Sequence, residues 1–92
     1  MHLEIVSPEA TLFSGEVESV IVPGTSGSFQ MLNNHAPIVS SLKDGTVIIS
    51  GKIQLNDTVQ NKFIRKDDNT TLFDISSGTI EMRNNKLILL AD

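Results

Sequence analysis

A chain of 92 residues has room for one domain and too little for two, and a domain of that size buries only about 60–65% of the surface its unfolded chain exposes. Cysteine, tryptophan and tyrosine are absent and phenylalanine occurs four times. That composition excludes disulfides and thiolate metal sites and argues against the aromatic platforms on which nucleic-acid bases stack. Seven Lys and Arg against eleven Asp and Glu give a net charge of −4, a balance that repels phosphate backbones and anionic lipid, so nucleic acid is not expected as a partner.

The first residues, Met1-His2-Leu3-Glu4, lack the basic and apolar regions of a signal peptide. No apolar run approaches the ~18 residues of a membrane span, so a soluble intracellular domain without direct membrane insertion is expected. Leu3 and Ile5 alternate with His2 and Glu4, which predicts a half-buried strand. A second strand is predicted over residues 17–22, with residues 23–27 (PGTSG) as the loop that follows it. Residues 46–49 and 52–55 read as two strands joined by a two-residue turn at Ser50-Gly51. Residues 63–65 and 71–75 are joined by a polar tip at 66–69, and residues 80–83 and 86–90 by Asn84-Asn85, whose side chains tolerate positive φ. The last run, 87–90 (LILL), is apolar on both faces and reads as a central or covered strand. Valine, isoleucine and threonine make up 24 of 92 residues, and no window carries the apolar stripe of a helix. Eight to ten short strands with turns every 8–12 residues predict an all-β fold, a flattened sandwich or barrel of about ten short, mostly antiparallel strands.

The chemical motifs are thin. His35 stands in residues 30–39 (QMLNNHAPIV) without cysteine or a second histidine at ligand spacing, so no metal site is predicted. Ser40, Ser41 and Asp44 follow it in sequence but in no catalytic pattern, and a structural or interface role is the better reading. The run from Gly24 to Ser28 lacks the lysine and the helix of a phosphate-binding loop. Glu16 and Glu18 are expected on one solvated face, and Asp67-Asp68 lacks the frame of a calcium loop. Asn56-Asp57-Thr58 and Asn69-Thr70-Thr71 fit the glycosylation sequon but, with no secretion signal, read as turn residues. Neither catalytic nor cofactor-binding residues are assigned: the chain reads as a binding or structural module.

Residues 3–9 (LEIVSPE), 12–20 (LFSGEVESV), 22–29 (VPGTSGSF), 35–45 (HAPIVSSLKDG), 78–82 (GTIEM) and 90–92 (LAD) run in an order that resembles the N-terminal domain of the epsilon subunit of the rotary F-type ATP synthase. The likeness spans nearly the whole chain, residues 1–92. It implies a ten-stranded β-sandwich in the central stalk, a non-catalytic rotor subunit that clamps the gamma subunit to the ring of c subunits. Proton or sodium flow through the ring would thereby be coupled to ATP synthesis on other subunits. It further implies a peripheral position on the cytoplasmic face of a bacterial inner membrane, no cofactor, and a monomer when isolated. Carried over residue by residue, Ser7, His35 and Ser40 match gamma-facing positions. Ser26, Gly27, Ser28, Phe29, Gln30 and Met31 match the c-ring loop, with Phe29 and Met31 as its apolar anchor.

There are departures. Asn33-Asn34 stands where the family usually has Pro-Gly, and Asn supplies the positive φ that Gly would. Gln30 replaces a usual Gly, Ser28 an acidic residue common in the family, and Ser77 the first glycine of a Ser-Gly-Gly motif. Residues 46–75 are longer than is common, and an extended hairpin through 52–65 is expected to take up the excess. The family commonly continues into an inhibitory two-helix domain; on this reading the chain is a short form without it. A free-standing module for carbohydrate is the alternative, opposed by the missing Trp and Tyr, and a small enzyme with His35 as base is a third.

Overall fold

Side chains alternate across a strand, so short runs of alternating apolar and polar residues make ribbons with one dry and one wet face. The computed structural model describes residues 1–92 and contains ten such strands. They are β1 (His2–Val6), β2 (Thr11–Glu16), β3 (Ser19–Gly24), β4 (Gly27–Leu32) and β5 (Ile38–Leu42), then β6 (Gly45–Ser50), β7 (Ile64–Asp67), β8 (Thr70–Ile75), β9 (Gly78–Arg83) and β10 (Lys86–Ala91). A single 3-10 turn, Gln60–Lys62, is the only helical element, and no helix is long and apolar enough to cross a membrane.

The strands form one curled sheet in the order β2-β1-β10-β9-β5-β3-β6-β8-β7, with β4 on the other side of β3. Only β1 and β10 pair in parallel. Two five-strand halves face each other across a cluster of 22 buried apolar residues. One half contributes Leu3, Ile5, Ile80, Met82, Leu87 and Leu89; the other contributes Val20, Val22, Met31, Val47, Ile49 and Phe73. The all-β sandwich is as expected from the alternation.

The halves meet where β3 changes neighbours. Ser19 to Ile21 pair with β6, whereas Gly24 pairs with Leu42 of β5. Pro23, which has no N–H to give a ladder, sits at the change-over, and its carbonyl accepts the Lys43 N–H at 2.9 Å. The Thr25 N–H donates to the Ser41 carbonyl at 3.2 Å. The connection β5–β6 thus binds both successive partners of β3 and closes the corner of the sandwich.

Several expected boundaries change. The predicted strand 17–22 breaks at Val17-Glu18 and begins again at Ser19. The predicted loop 23–27 is a tight hairpin, since β3 runs to Gly24 and β4 starts at Gly27. Ser50-Gly51 does not turn into a second strand. Both sides of β6 are already taken, by β3 and β8, so residues 52–55 have no free ladder to join. Instead residues 51–63 leave the sheet at Gly51 (φ 133) and wrap the core, burying Ile53, Val59 and Phe63. The extended hairpin through 52–65 is therefore absent, and only β7 and β8 form one. Phe63, at its entry, stacks on Phe73 with ring centroids 4.9 Å apart. By contrast, Asn84 (φ 52) and Asn85 (φ 59) form the expected two-residue primed turn between Arg83 and Lys86. The central position of β10 is also as expected, although Leu90 on its outer face remains 49% exposed.

Two stability measurements check this packing. A Cβ at Gly78 would lie 2.5 Å from the Leu90 carbonyl oxygen, so Gly78→Ala lowers the unfolding free energy by about 1–3 kcal/mol in urea titration. Phe63→Ala costs about 3 kcal/mol, whereas truncating its neighbour Ile64, which is 56% exposed, changes stability by less than about 0.5 kcal/mol.

Candidate functional site

His35 lies in the connection between β4 and β5. Its N–H donates to the Leu32 carbonyl at 3.1 Å, closing a four-residue turn with positive φ at its third position, Asn34 (φ 60). One Asn thus does what a glycine does in a type II turn. The half-buried imidazole donates through Nδ1 to the Ala36 carbonyl at 2.7 Å. That bond leaves Nε2 free at the surface, and no carboxylate or hydroxyl bonds the ring. Ser40 sits within β5 opposite Ile80, and its hydroxyl donates to the Ser41 carbonyl at 3.3 Å. Ser7 follows β1, and its hydroxyl donates to the Ala10 carbonyl at 3.2 Å.

The register places these three residues on one half of the sandwich but not together. His2 pairs with Lys86, next to the Asn84-Asn85 turn and the Asn33–His35 turn, so His35 marks one end. Val6 pairs with Leu90, Ala91 with Gly78 and Gly78 with Leu42, so Ser7 marks the opposite end. Between them lies the outer face of β1, β10, β9 and β5. Two cross-strand rows cover it: Val39, Glu81, Ile88 and Glu4, then Ser41, Thr79, Leu90 and Val6. Val39 is 74% exposed, and with Ile88 and Leu90 it lines a shallow groove that also includes Thr79, Ile80 and Glu81. Apolar side chains left in water on one sheet face make it a candidate interaction face, although Glu81 and Thr79 stand between Val39 and the other two. Sequence reasoning did not name Val39, Ile88 or Leu90 as a surface; the doubly apolar run 87–90 carried the signal.

The six candidates 26–31 occupy the β3–β4 hairpin, at the Ser7 end. Gly24 pairs with Gly27 across Thr25-Ser26, and Gly27 has φ 128, a value that L-side chains rarely adopt. Ser26, Gly27, Ser28 and Gln30 are exposed, but Met31 is fully buried and Phe29 is half-buried against the core. The expected Phe29/Met31 surface anchor is therefore corrected. Both residues lie on the inward face of β4, two positions apart, while Ser28 and Gln30 face outward. Gln30 and Met31, being adjacent in a strand, point to opposite sides.

Folding also assembles a row that the sequence hid. His2 Nε2 lies 3.2 Å from the Ser14 hydroxyl, and Nδ1 lies 3.3 Å from a carboxylate oxygen of Glu16. The order of groups is that of a nucleophile, base and orienting acid. It lies flat on the wet side of the sheet, however, with the Glu16 side chain 75% exposed, where solvent screens the pair. Only the β1–β2 register, His2 against Glu16 and Glu4 against Ser14, brings it about. No set of three or more His, Asp or Glu side chains comes together in a way that could hold a metal ion.

Residues 1–92 match the family model described as ATP synthase, delta/epsilon chain, β-sandwich domain. The ATP synthase epsilon chain of Chlorobaculum tepidum is 41% identical over 90 residues, which cover 98% of this chain and 86% of that one. The epsilon chain of Chlorobium limicola is 39% identical over the same shares. That of Campylobacter curvus is 36% identical across all of this chain and 60% of its own length. Among solved structures, a chain from the Tetrahymena thermophila mitochondrial ATP synthase central stalk and c-ring matches with a TM-score of 0.72. That match covers 99% of this chain and 62% of the other at 11% identity, a likeness of fold. Sequence and strand arrangement agree that the chain belongs to the ATP synthase delta/epsilon family, as its β-sandwich domain.

Proposed function

We propose that this chain is a non-catalytic rotor subunit that clamps a gamma subunit to a ring of c subunits in an F-type ATP synthase, peripheral on the cytoplasmic side of a bacterial membrane. It would couple ion flow through the ring to ATP synthesis without performing chemistry itself. One observation carries the reading: the exposed groove of Val39, Ile88 and Leu90 lies between the gamma-facing candidates Ser7 and His35, while the candidate c-ring hairpin projects at one end. Ser40, opposite the buried Ile80, turns to the inner face of β5 and is left out of the proposed contact. Gamma would lie across the outer face of β1, β10, β9 and β5, burying those apolar side chains at the centre of the contact. The c-ring would meet Ser26, Gly27, Ser28 and Gln30, a polar tip, in place of the apolar anchor that the sequence suggested.

Leu90 and Val39 already face water, so charged substitutions there leave the fold intact. Leu90→Glu or Val39→Glu is expected to weaken binding to purified gamma at least tenfold, with an unchanged melting temperature, in titration calorimetry. Lys52→Glu, an exposed residue outside the strands of that face, leaves affinity unchanged; equal losses in all three would count against this face. The c-ring contact is checked by cross-linking, which the absence of native cysteine makes clean. Ser28→Cys forms a disulfide with a cysteine placed in the polar loop of the c subunit within the assembled complex, and Gln54→Cys does not.

A further inference from the structure

The turn that carries His35 has little holding it from within. Between the end of β4 at Leu32 and the start of β5 at Ile38, the backbone makes one hydrogen bond of its own, His35 N–H to the Leu32 carbonyl. Pro37 has no N–H, and Asn33, Asn34, Ala36 and Pro37 are exposed. Two side-chain bonds tie the turn to other parts of the sheet: the Met1 ammonium donates to the Asn33 side-chain oxygen, and the one that holds the turn's own backbone comes from far along the chain. The Asn34 N–H donates to the side-chain carbonyl oxygen of Asn85 at 2.7 Å. Asn85 is itself fixed: it is the second residue of the primed β9–β10 turn, and its backbone carbonyl accepts the His2 N–H at 3.0 Å.

The choice of residue at 85 is informative. A primed two-residue turn places both central residues at positive φ, and glycine is the preferred second residue. Asparagine there gives up some of that ease in exchange for a side chain, and the side chain reaches the neighbouring turn. We infer that Asn85 is a positioning residue for the gamma-facing turn: its amide oxygen holds the Asn34 N–H and so presents the His35 imidazole to the partner. The inference rests on the proposed gamma contact and adds to it a residue outside the contact segment. A turn ordered beforehand loses less conformational freedom when it is bound.

The test uses Asn85→Gly, which keeps the left-handed backbone and leaves Asn84 followed by the preferred residue, so the hairpin still folds. Asn85→Asp restores an acceptor oxygen at a residue type that tolerates this conformation. Hydrogen exchange at the Asn34 amide should accelerate at least tenfold in Asn85→Gly while the melting temperature holds. Affinity for purified gamma should fall about three- to tenfold, mainly in the association rate, and Asn85→Asp should recover it to within about twofold. Adding His35→Ala to Asn85→Gly should weaken binding no further than His35→Ala alone. Asn85→Gly binding gamma as the unaltered chain does, or losses additive with His35→Ala, would overturn the positioning role while leaving the gamma contact standing. An unaltered chain that fails to bind gamma would overturn both.

Discussion

The corner at Pro23 and Gly24 is where a row of strands becomes a sandwich. A sheet of ten strands with one apolar face must curl until that face meets itself, or leave it wet. Here β3 hands its ladder from β6 to β5 within three residues; the Pro23 carbonyl accepts from Lys43 in the β5–β6 connection, and the Thr25 N–H donates to Ser41 of β5. A ladder cannot run through a proline N–H, so proline belongs at a change-over and nowhere else in this strand. At the same end, close approaches of the backbone at Gly24 and Gly78 and of the Pro23 ring at Gly45 crowd the place a Cβ would take. Both halves are thereby held at the distance at which Val22, Leu42 and Ile80 share one dry layer.

Once that layer is dry, every strand has a single outer face left for partners, and the register decides what stands on it. Along β4 the dry set is Phe29 and Met31, so the wet set must be Ser28, Gln30 and Leu32. Along β10 the dry set is Leu87 and Leu89, which leaves Ile88 and Leu90 outside. A polar hairpin tip and an apolar sheet face are the result. Water tolerates single exposed apolar groups, but Val39, Ile88 and Leu90 line one groove, with Glu81 and Thr79 of β9 between Val39 and the other two. Covering the apolar part of that groove would gain about 25 cal/mol for each Å² removed from water, which is the physical reason to seek a partner there.

Local chemistry was readable without a structure, and chain-distant pairing was not. Alternation at Leu3/Ile5 and Ile80/Met82 identified inward residues correctly because the period of a strand is a property of a few consecutive residues. The primed turn at Asn84-Asn85 was legible for the same reason. Residues 52–55 alternate just as well, with Ile53 buried, yet they form no strand: whether a ladder was free for them depended on β3 and β8, neither of which is adjacent in sequence. Likewise the His2, Ser14 and Glu16 row and the bond from Asn34 to Asn85 exist only through pairing between distant segments. Met31 misled because an apolar residue near a glycine-rich turn looks like an exposed anchor until the hairpin is known to close at Thr25-Ser26.

On the proposed reading, load would enter at the β3–β4 tip and leave along the outer face, and the fold suits that path. The tip belongs to β3, whose far end is laddered to both β4 and β6, so a sideways push on Ser26 is shared among three strands. From the corner the ladder continues through β5, β9 and β10 to β1 without a gap. Hydrogen-bonded strands resist sliding because moving one residue along would swap every inward side chain for an outward one. The turns are the softer elements, and the one carrying His35 is tied across to β9–β10, whose strands underlie the apolar groove. A clamp needs its gripping points to move as one body; here they hang from one continuous sheet, and the single long excursion, residues 51–63, runs beside its edge strand, with Gln54 and Asn56 next to β2 and Lys62 next to Ser7.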